Sequence, residues 1–515
     1  MYLFRYILNT YTRKKVINGK EYFYEMTPYY DKETKKIRYH SRYLGVSNGS
    51  GIGKVRARMP RNIFTYGPFI PVLRIVRKMG IDKMLESLLS NEDKNMLLAL
   101  AIARAVRSLP MDLVHTWYEG TYLARELPCT ITSQRISRLM EYIGNSNIPD
   151  RFFSLLAGKI KPESSLFYDI TSIASYSSNS MFEYGHAKDN IDLPEINMSL
   201  IMERKSSTPF FFEIYPGSIV DVSTLELSLK RVENLASNMV IILDRGFFSL
   251  DNLKLLSRYG YIIAATYSRK EIKHVFSSNL RKLDSANNTF MYYGKAIFAM
   301  DVEFSIAGME LKGYLYHDIE LESKERIAFH RKLREIIDAA GRAVPKTGKS
   351  AQSQQIKTIA GGYGKFISAT VKDGKYVVHA RNNAISQKEN RMGRFLLVYK
   401  GEYTPVECLN LYRDKDHVEK AFEILKTDLD IFPLRTGTPA TTKGLIFVLF
   451  ISLILRLRIR KMMSESGLSR KYSIDKAFLE LEKLQMIDID GKLVERERTK
   501  KQKEILDALE SISCT

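Results

Sequence analysis

The sequence predicts an α/β protein: a mixed-sheet core interrupted by a β-rich insertion, with helical regions flanking it. Three observations carry that expectation. Residues 166–170 and 239–243 are apolar strand-like runs that deliver Asp169 and Asp244 at a polar transition. Between them lie a hairpin and a helical stretch, so the order is strand, hairpin, helix, buried strand. On either side of this core the apolar period changes from two or continuous to that of a helix.

Taken in order, residues 1–50 form a small β-rich subdomain, Tyr-rich with alternating charge. Asn18-Gly19 and Asp31-Lys32 serve as turns between short runs such as Tyr22-Phe23-Tyr24. Its aromatics could touch DNA, but a Tyr-rich sheet packing on its own domain is the preferred reading. Residues 60–160 are helical and a candidate DNA-binding region. Ser90 and Asp93 open the helix over 97–106, and Ile136, Leu139, Met140 and Ile143 recur at i, i+3, i+4, i+7 before Gly144. Arg135 and Arg138 beside that stripe suit a DNA-reading helix, though a solvated bundle element is the commoner meaning.

The core occupies 161–274 and 401–460. Residues 196–202 and 210–215 flank the turn Arg204-Lys205-Ser206-Ser207, and 239–243 reads as a strand buried on both faces. The insertion spans 275–400, with strand-like pieces at 289–293, 312–316 and 394–399. It also holds a charged helix near 322–341 and a Gly/Lys/Ser/Gln-rich stretch at 345–365, read as a mobile basic segment or a linker. Residues 461–515 form a C-terminal helical region.

The 515 residues suffice for several cores. A formal net charge of +21 points to polyanions, nucleic acid first, with an RNA-binding protein or a merely solvated basic surface as alternatives. Three cysteines, Cys129, Cys408 and Cys514, make neither a disulfide framework nor a CxxC metal site. With a start that lacks a signal-peptide layout, this predicts a cytoplasmic protein. The apolar run 445–455, broken by Ser452, is too short to span a bilayer and reads as a buried helix whose exposed continuation begins at Arg456, Arg458 and Arg460. No membrane partner is expected.

Buried carboxylates at strand ends are costly unless a cation faces them, and oxygen-rich carboxylate sites suit Mg²⁺ or Mn²⁺. A third carboxylate is expected on a helix near 412–427. At 100° per residue Tyr412, Lys415, Glu419 and Lys426 fall within about 60° of one another, with Val418, Ala421, Phe422 and Leu425 on the adjoining apolar flank. Glu419 is the candidate third ligand and Glu423 its rival; the cations and Tyr412 suit phosphate oxygens. His417 is a poor metal candidate without Cys or further His, and Trp117 reads as core.

The segments Phe167-Tyr168-Asp169-Ile170-Thr171, Gly185-His186-Ala187-Lys188-Asp189, Asp192-Leu193-Pro194, Ile214-Tyr215-Pro216-Gly217-Ser218 and Leu243-Asp244-Arg245-Gly246-Phe247 resemble the catalytic core of insertion-sequence transposases of the DDE type. The spacing Tyr412-x2-Lys415-x3-Glu419-x6-Lys426 is similar to the Tyr-Arg-Glu-Lys signature of one branch. Two departures stand out: Lys415 takes the place of the signature Arg, with Arg413 two residues earlier, and Glu195 stands where Gln is expected. The resemblance implies a ribonuclease H-like fold with Asp169, Asp244 and Glu419 as catalytic residues holding two Mg²⁺ or Mn²⁺ ions. It implies DNA contacts at Tyr412, Arg413, Lys415, Lys426, Arg245, Lys188 and His186; for the last two an exposed loop is an equal alternative, and Arg245 with Gly246 can serve only as a turn. The implied reaction is cleavage of terminal inverted repeats and their joining to target DNA, by a homodimer on DNA. A non-transposing nuclease of the same core and an inactive DNA-binding relative are the alternatives.

Overall fold

Short runs between turn residues fold, in the computed structural model, into the antiparallel strands β1 (Tyr11–Ile17), β2 (Lys20–Asp31), β3 (Lys36–Ser47) and β4 (Ile52–Gly53). Asn18 and Gly19 turn the chain with φ of 50° and 75°, the backbone a tight hairpin requires. The structure describes residues 9–31, 33–47, 52–53, 62–160, 164–177, 179–184, 193–219, 221–232, 239–431, 434–489 and 491–510. They divide into two units: Met1–Phe64 with Leu484–Glu497, and Thr65–Lys483 with Arg498–Thr515. In the first, β5 (Asn62–Thr65) and the strands Gln485–Ile489 and Lys492–Glu495 form a second sheet. Here the preferred reading of the tyrosines as packed fails. β1 is exposed along its whole length and β3 over Lys36–Tyr43, so neither face carries the continuous buried row of a packed layer.

The second unit begins with helices α1 (Phe69–Met79), α2 (Ile81–Glu86), α3 (Asn91–Arg107), α4 (Val114–Glu119), α5 (Leu123–Glu126), α6 (Ser133–Gly144) and α7 (Ile148–Ala157). Ser90 caps α3 by accepting from the Asp93 amide, and Thr132 caps α6 in the same way. α6 buries its expected stripe, Ile136, Leu139, Met140 and Ile143, while Arg135 pairs with Glu92. Trp117 packs edge-on to Phe69 at 5.6 Å.

The central sheet has nine strands. β6 (Ser165–Ala174), β7 (Glu195–Glu203) and β8 (Thr208–Pro216) form an antiparallel meander, while β9 (Val240–Leu243) and β10 (Gly260–Ala264) run parallel to β6. α8 (Asp221–Val232) and α9 (Leu250–Leu256) make the crossovers, and α10 (Lys270–Leu283) follows. β11 (Thr289–Tyr292), β12 (Lys295–Ile306) and β13 (Met309–Asp318) then continue the same sheet. They are joined through β16 (Arg394–Lys400), giving the order β11-β12-β13-β16-β10-β9-β6-β7-β8. The strands of the expected insertion thus hydrogen-bond into the core sheet.

Between β13 and β16 lies a module of α11 (Ile319–Arg342), α12 (Lys349–Ala360), the hairpin β14 (Ile367–Lys372) and β15 (Lys375–Ala380), and α13 (Asn382–Glu389). Its own core includes Phe329, Leu333, Ile336, Phe366 and Met392. The stretch read as a mobile segment or linker is therefore largely the helix α12.

α14 (Pro405–Arg413), α15 (Asp416–Glu423), a π-helical turn (Ile424–Asp428), α16 (Pro439–Glu465), α17 (Ile474–Glu482) and α18 (Lys500–Glu510) complete the unit. At 27 residues α16 is longer than the apolar run suggested, and long and apolar enough to cross a membrane, yet 83% of its most apolar stretch is buried in the protein. The expected exposed continuation is corrected as well: Arg456 and Arg458 are buried, and only Arg460 is exposed. Burial of Arg456 is possible because Asp475 Oδ1 at 2.5 Å, Asp428 Oδ2 at 3.3 Å and the Ala105 carbonyl at 2.8 Å accept from its guanidinium.

Candidate active site

Ser165, Leu166 and Phe167 of β6 lie opposite Val240, Ile241 and Ile242 of β9. Continued two residues further, that register sets Asp169 abreast of Asp244, where β9 has ended and a 3-10 turn, Arg245–Phe247, begins. β6 itself does not end at its carboxylate: Asp169 still pairs with Leu200 of β7, and the strand runs on to Ala174. Termination of the neighbour, rather than of β6, opens this edge. Both carboxylates are half-buried, and Asp169 Oδ1 accepts from the Ile170 amide at 2.9 Å.

The expected single helix over 412–427 is broken. Pro405 and the Thr404–Glu407 capping box start α14. At Arg413 the i,i+4 ladder gives way: the Lys415 amide donates to the Tyr412 carbonyl and the His417 amide to Asp414, both three-residue steps, before α15 resumes. Tyr412, Lys415 and Glu419 still share a side. Tyr412 donates its hydroxyl to Asp244 Oδ1 at 3.2 Å, and Lys415 Nζ donates to Glu419 Oε1 at 2.6 Å. Lys426 falls in the π-helical turn, which changes the helical phase, and does not line the cleft beside these residues.

The Lys415 side chain is 7% exposed, and burial favours its neutral form. The hydrogen bond that Lys415 donates to Glu419 and the charges of Asp169, Asp244 and Glu419 outweigh burial and raise its pKa, so the ammonium is held charged. Burial first, then the facing Asp244 carboxylate, also raises the Tyr412 hydroxyl. Three carboxylates contributed by β6, the end of β9 and α15 thus act on one buried cation.

Asp244, Arg245, Tyr412, Lys415 and Glu419 line a cleft of about 840 Å³. Its lining adds Lys273, Lys388, Arg391 and Arg394, which sequence reading missed. Nothing local distinguishes them from the chain's other Lys and Arg residues, since only the packing of α10, α13 and β16 brings them together. Arg413 also lines the cleft, anchored to Asp318 Oδ2 at 2.7 Å with its guanidinium 4.6 Å from the Tyr292 ring centre. Arg391 stacks over Tyr267 at 4.3 Å. Glu423 pairs with Lys420, and His417 stands edge-on to Phe167 at 6.2 Å; neither lines the cleft. His186 and Lys188 lie outside the described residues.

Among the described residues, no three His, Cys, Asp or Glu side chains stand together in a metal-holding group. Glu419 accepts from Lys415 at 2.6 Å, and the charges of Asp169 and Asp244 also act on that ammonium. As a donor set the three carboxylates are hard oxygens around a site that already holds a cation, which suits Mg²⁺ or Mn²⁺ in kind.

No family model and no curated protein sequence matches the chain. Among solved structures, the piggyBac transposase synaptic complex with hairpin DNA is similar over 87% of this chain and 80% of its own, at 11% identity and a TM-score of 0.35. The Drosophila P element transposase strand transfer complex covers 85% of this chain and 98% of its own, at 12% identity and a TM-score of 0.19. The nine-stranded mixed sheet with flanking helices is established by the strand pairings themselves.

Proposed function

We propose that this chain is a DDE-type transposase that cuts DNA at the ends of an element and joins them to target DNA, with Asp169, Asp244 and Glu419 as its catalytic carboxylates. The observation that carries the reading is that Asp244, Lys415 and Glu419 line one cleft together with basic side chains, Lys415 donating to Glu419 at 2.6 Å, while the β6–β9 register sets Asp169 abreast of Asp244. A ribonuclease H-like core is supported by the order β8-β7-β6-β9-β10, with β6, β9 and β10 parallel. Asp169, Asp244 and Glu419 would hold two Mg²⁺ or Mn²⁺ ions, which would supply activation of the attacking oxygen and neutralisation of the phosphodiester charge. The chain's own residues do the rest. Arg245, Arg391 and Arg413 bind phosphates and set the strand in the cleft, Tyr412 holds Asp244 through its protonated hydroxyl, and Lys415 orients Glu419. Terminal inverted repeats and target DNA are the partners in this reading, with a homodimer bringing two ends together.

A specific observation favours a second reading, a relative that binds DNA without cutting: Glu419 is held by Lys415, and among the described residues no three acidic, His or Cys side chains form a metal-holding group. The two are separated by cleavage of a labelled duplex carrying the element end, in Mg²⁺, Mn²⁺ or EDTA. The transposase reading expects metal-dependent nicking and joining, lost at least a thousandfold in Asp169→Ala, Asp244→Ala and Glu419→Ala. Binding with no cleavage in any metal would leave the second reading, and cleavage surviving all three changes would remove this site from the reaction.

A further inference from the structure

The β1–β4 sheet of the first unit has two chemically different faces. Residues opposite one another in an antiparallel pair share a face, as do alternate residues along a strand. The register aligns Tyr11 with Met26 and Ser41, Arg13 with Tyr24 and Tyr43, and Lys15 with Tyr22 and Val46. One face therefore carries Tyr11, Tyr22, Tyr24, Tyr30, Tyr39 and Tyr43 with Arg13, Lys15 and Lys20, and no carboxylate along β1, β2 or β3. Ring contacts agree: Tyr43 lies 5.3 Å from Tyr24 and 6.2 Å from Tyr22, and Tyr11 stands edge-on to Tyr39 at 5.8 Å. The other face is largely self-neutralised by the pairs Lys14–Glu21, Arg38–Asp31 at 2.9 Å and Arg42–Glu25 at 3.9 Å.

Exposed apolar surface of this extent marks a binding face. Tyr11, Tyr30, Tyr39 and Tyr43 are 45%, 56%, 48% and 40% exposed. An occupant must offer flat π surfaces to the rings and negative charge to Arg13, Lys15 and Lys20. Duplex bases are already stacked on one another, whereas an unpaired strand presents both groups at once. From Tyr22 to Tyr30 the platform runs roughly 27 Å by strand rise, room for several nucleotides.

We propose that this face binds single-stranded DNA, with bases stacking on the tyrosines and phosphates tracked by the three cations. DNA rather than RNA follows from the proposed function; the surface chemistry stands without it.

The test is anisotropy of a labelled 20-nucleotide oligo(dT) strand with the full-length protein in EDTA, where cleavage plays no part and failure of the active-site reading leaves the result intact. Tyr11→Ala/Tyr39→Ala and Arg13→Gln/Lys15→Gln should each weaken binding about tenfold or more. Tyr11→Phe/Tyr39→Phe should keep it, and Lys14→Gln/Arg42→Gln on the other face should change it less than about threefold. The phenylalanine and charge variants decide the matter if the alanine variant does not fold. Equal losses from both faces would reduce the effect to net charge and overturn the proposal. So would tighter binding of oligo(rU) or of a duplex of equal length, or unchanged affinity with an altered oligomeric mass.

Discussion

Lys415 sets the electrostatics of the candidate site, because three carboxylates act on an ammonium that is almost out of water. Its raised pKa gives a stabilising contribution that is complete below about pH 10.5, the ordinary lysine value, and lost as pH rises through the higher folded value. Lys415→Met should therefore destabilise the protein in EDTA by about 1–2 kcal/mol, a range discounted because Glu419 is half exposed. The same change removes a competitor for added cations, so Mn²⁺ should raise the melting temperature of the variant at roughly tenfold lower concentration than of wild type. Equal Mn²⁺ responses would show that the carboxylates do not form a cation site. Cys408 offers a simpler residue-scale check: burial pushes its thiol up to about 12. Iodoacetamide at pH 8 should leave it unlabelled until guanidinium unfolds the chain, and labelling of the native protein would contradict the packing around it.

Among elements, the crossing of α6 and α16 is the tightest test of the helical layer. A Cβ on Gly144 would stand 1.9 Å from the Ala440 carbonyl oxygen, and one on Gly444 would stand 2.1 Å from that of Met140. Backbone cannot move aside as a side-chain tip can, so Gly144→Ala or Gly444→Ala should force the helices apart at a cost of about 2–3 kcal/mol. Gly341, near the end of α11 with nothing within 4 Å of an added Cβ, is the control. Its alanine variant should be neutral or more stable by about 0.5 kcal/mol, since alanine favours the helix. Denaturant melts read all three, and equal behaviour of the three variants would rule out the close crossing. The break between α14 and α15 and the π-helical turn after it act at the same scale. Together they leave Tyr412, Lys415 and Glu419 in one cleft and place Lys426 in the π-helical turn.

Across the second unit, Arg456 ties together parts far apart in sequence. Its guanidinium reaches the Ala105 carbonyl at the end of α3, Asp428 in the π-helical turn and Asp475 on α17. Replacing it with Met keeps most of the volume but strips three acceptors of their donor, an expected loss of about 2–4 kcal/mol. Asp475→Asn should cost less than about 1 kcal/mol, because Asp475 is 67% exposed and Asp428 remains. Chemical unfolding of both variants checks the order, and a larger loss from Asp475→Asn would mean that the buried cation depends on that one partner. The nine-stranded sheet integrates the unit in the same way. β16, late in the chain, sits between β13 and β10, so the segment between β13 and β16 can fold only as an excursion from one continuous sheet.

What the sequence determined alone was local. Period and turn chemistry identified β6, β7, β8 and β9, the cap of α3 and the buried stripe of α6, because each depends on residues a few positions apart. The same reasoning singled out Asp169, Asp244 and Glu419, and spacing put Tyr412, Lys415 and Glu419 on one side of the chain despite the helix break. Tertiary structure decided which long-range partners those elements have. It joined β11–β13 to the core sheet through β16, buried Arg456 where sequence reading placed it in solvent, and gathered Lys273, Lys388, Arg391 and Arg394 into one cleft with Asp244 and Glu419. It also left Tyr11, Tyr29, Tyr30, Tyr39 and Tyr43 of the β1–β4 sheet exposed. Each of these outcomes turns on a contact between residues distant in sequence, and the residue types alone do not specify whether an Arg meets a carboxylate or a Tyr meets a core.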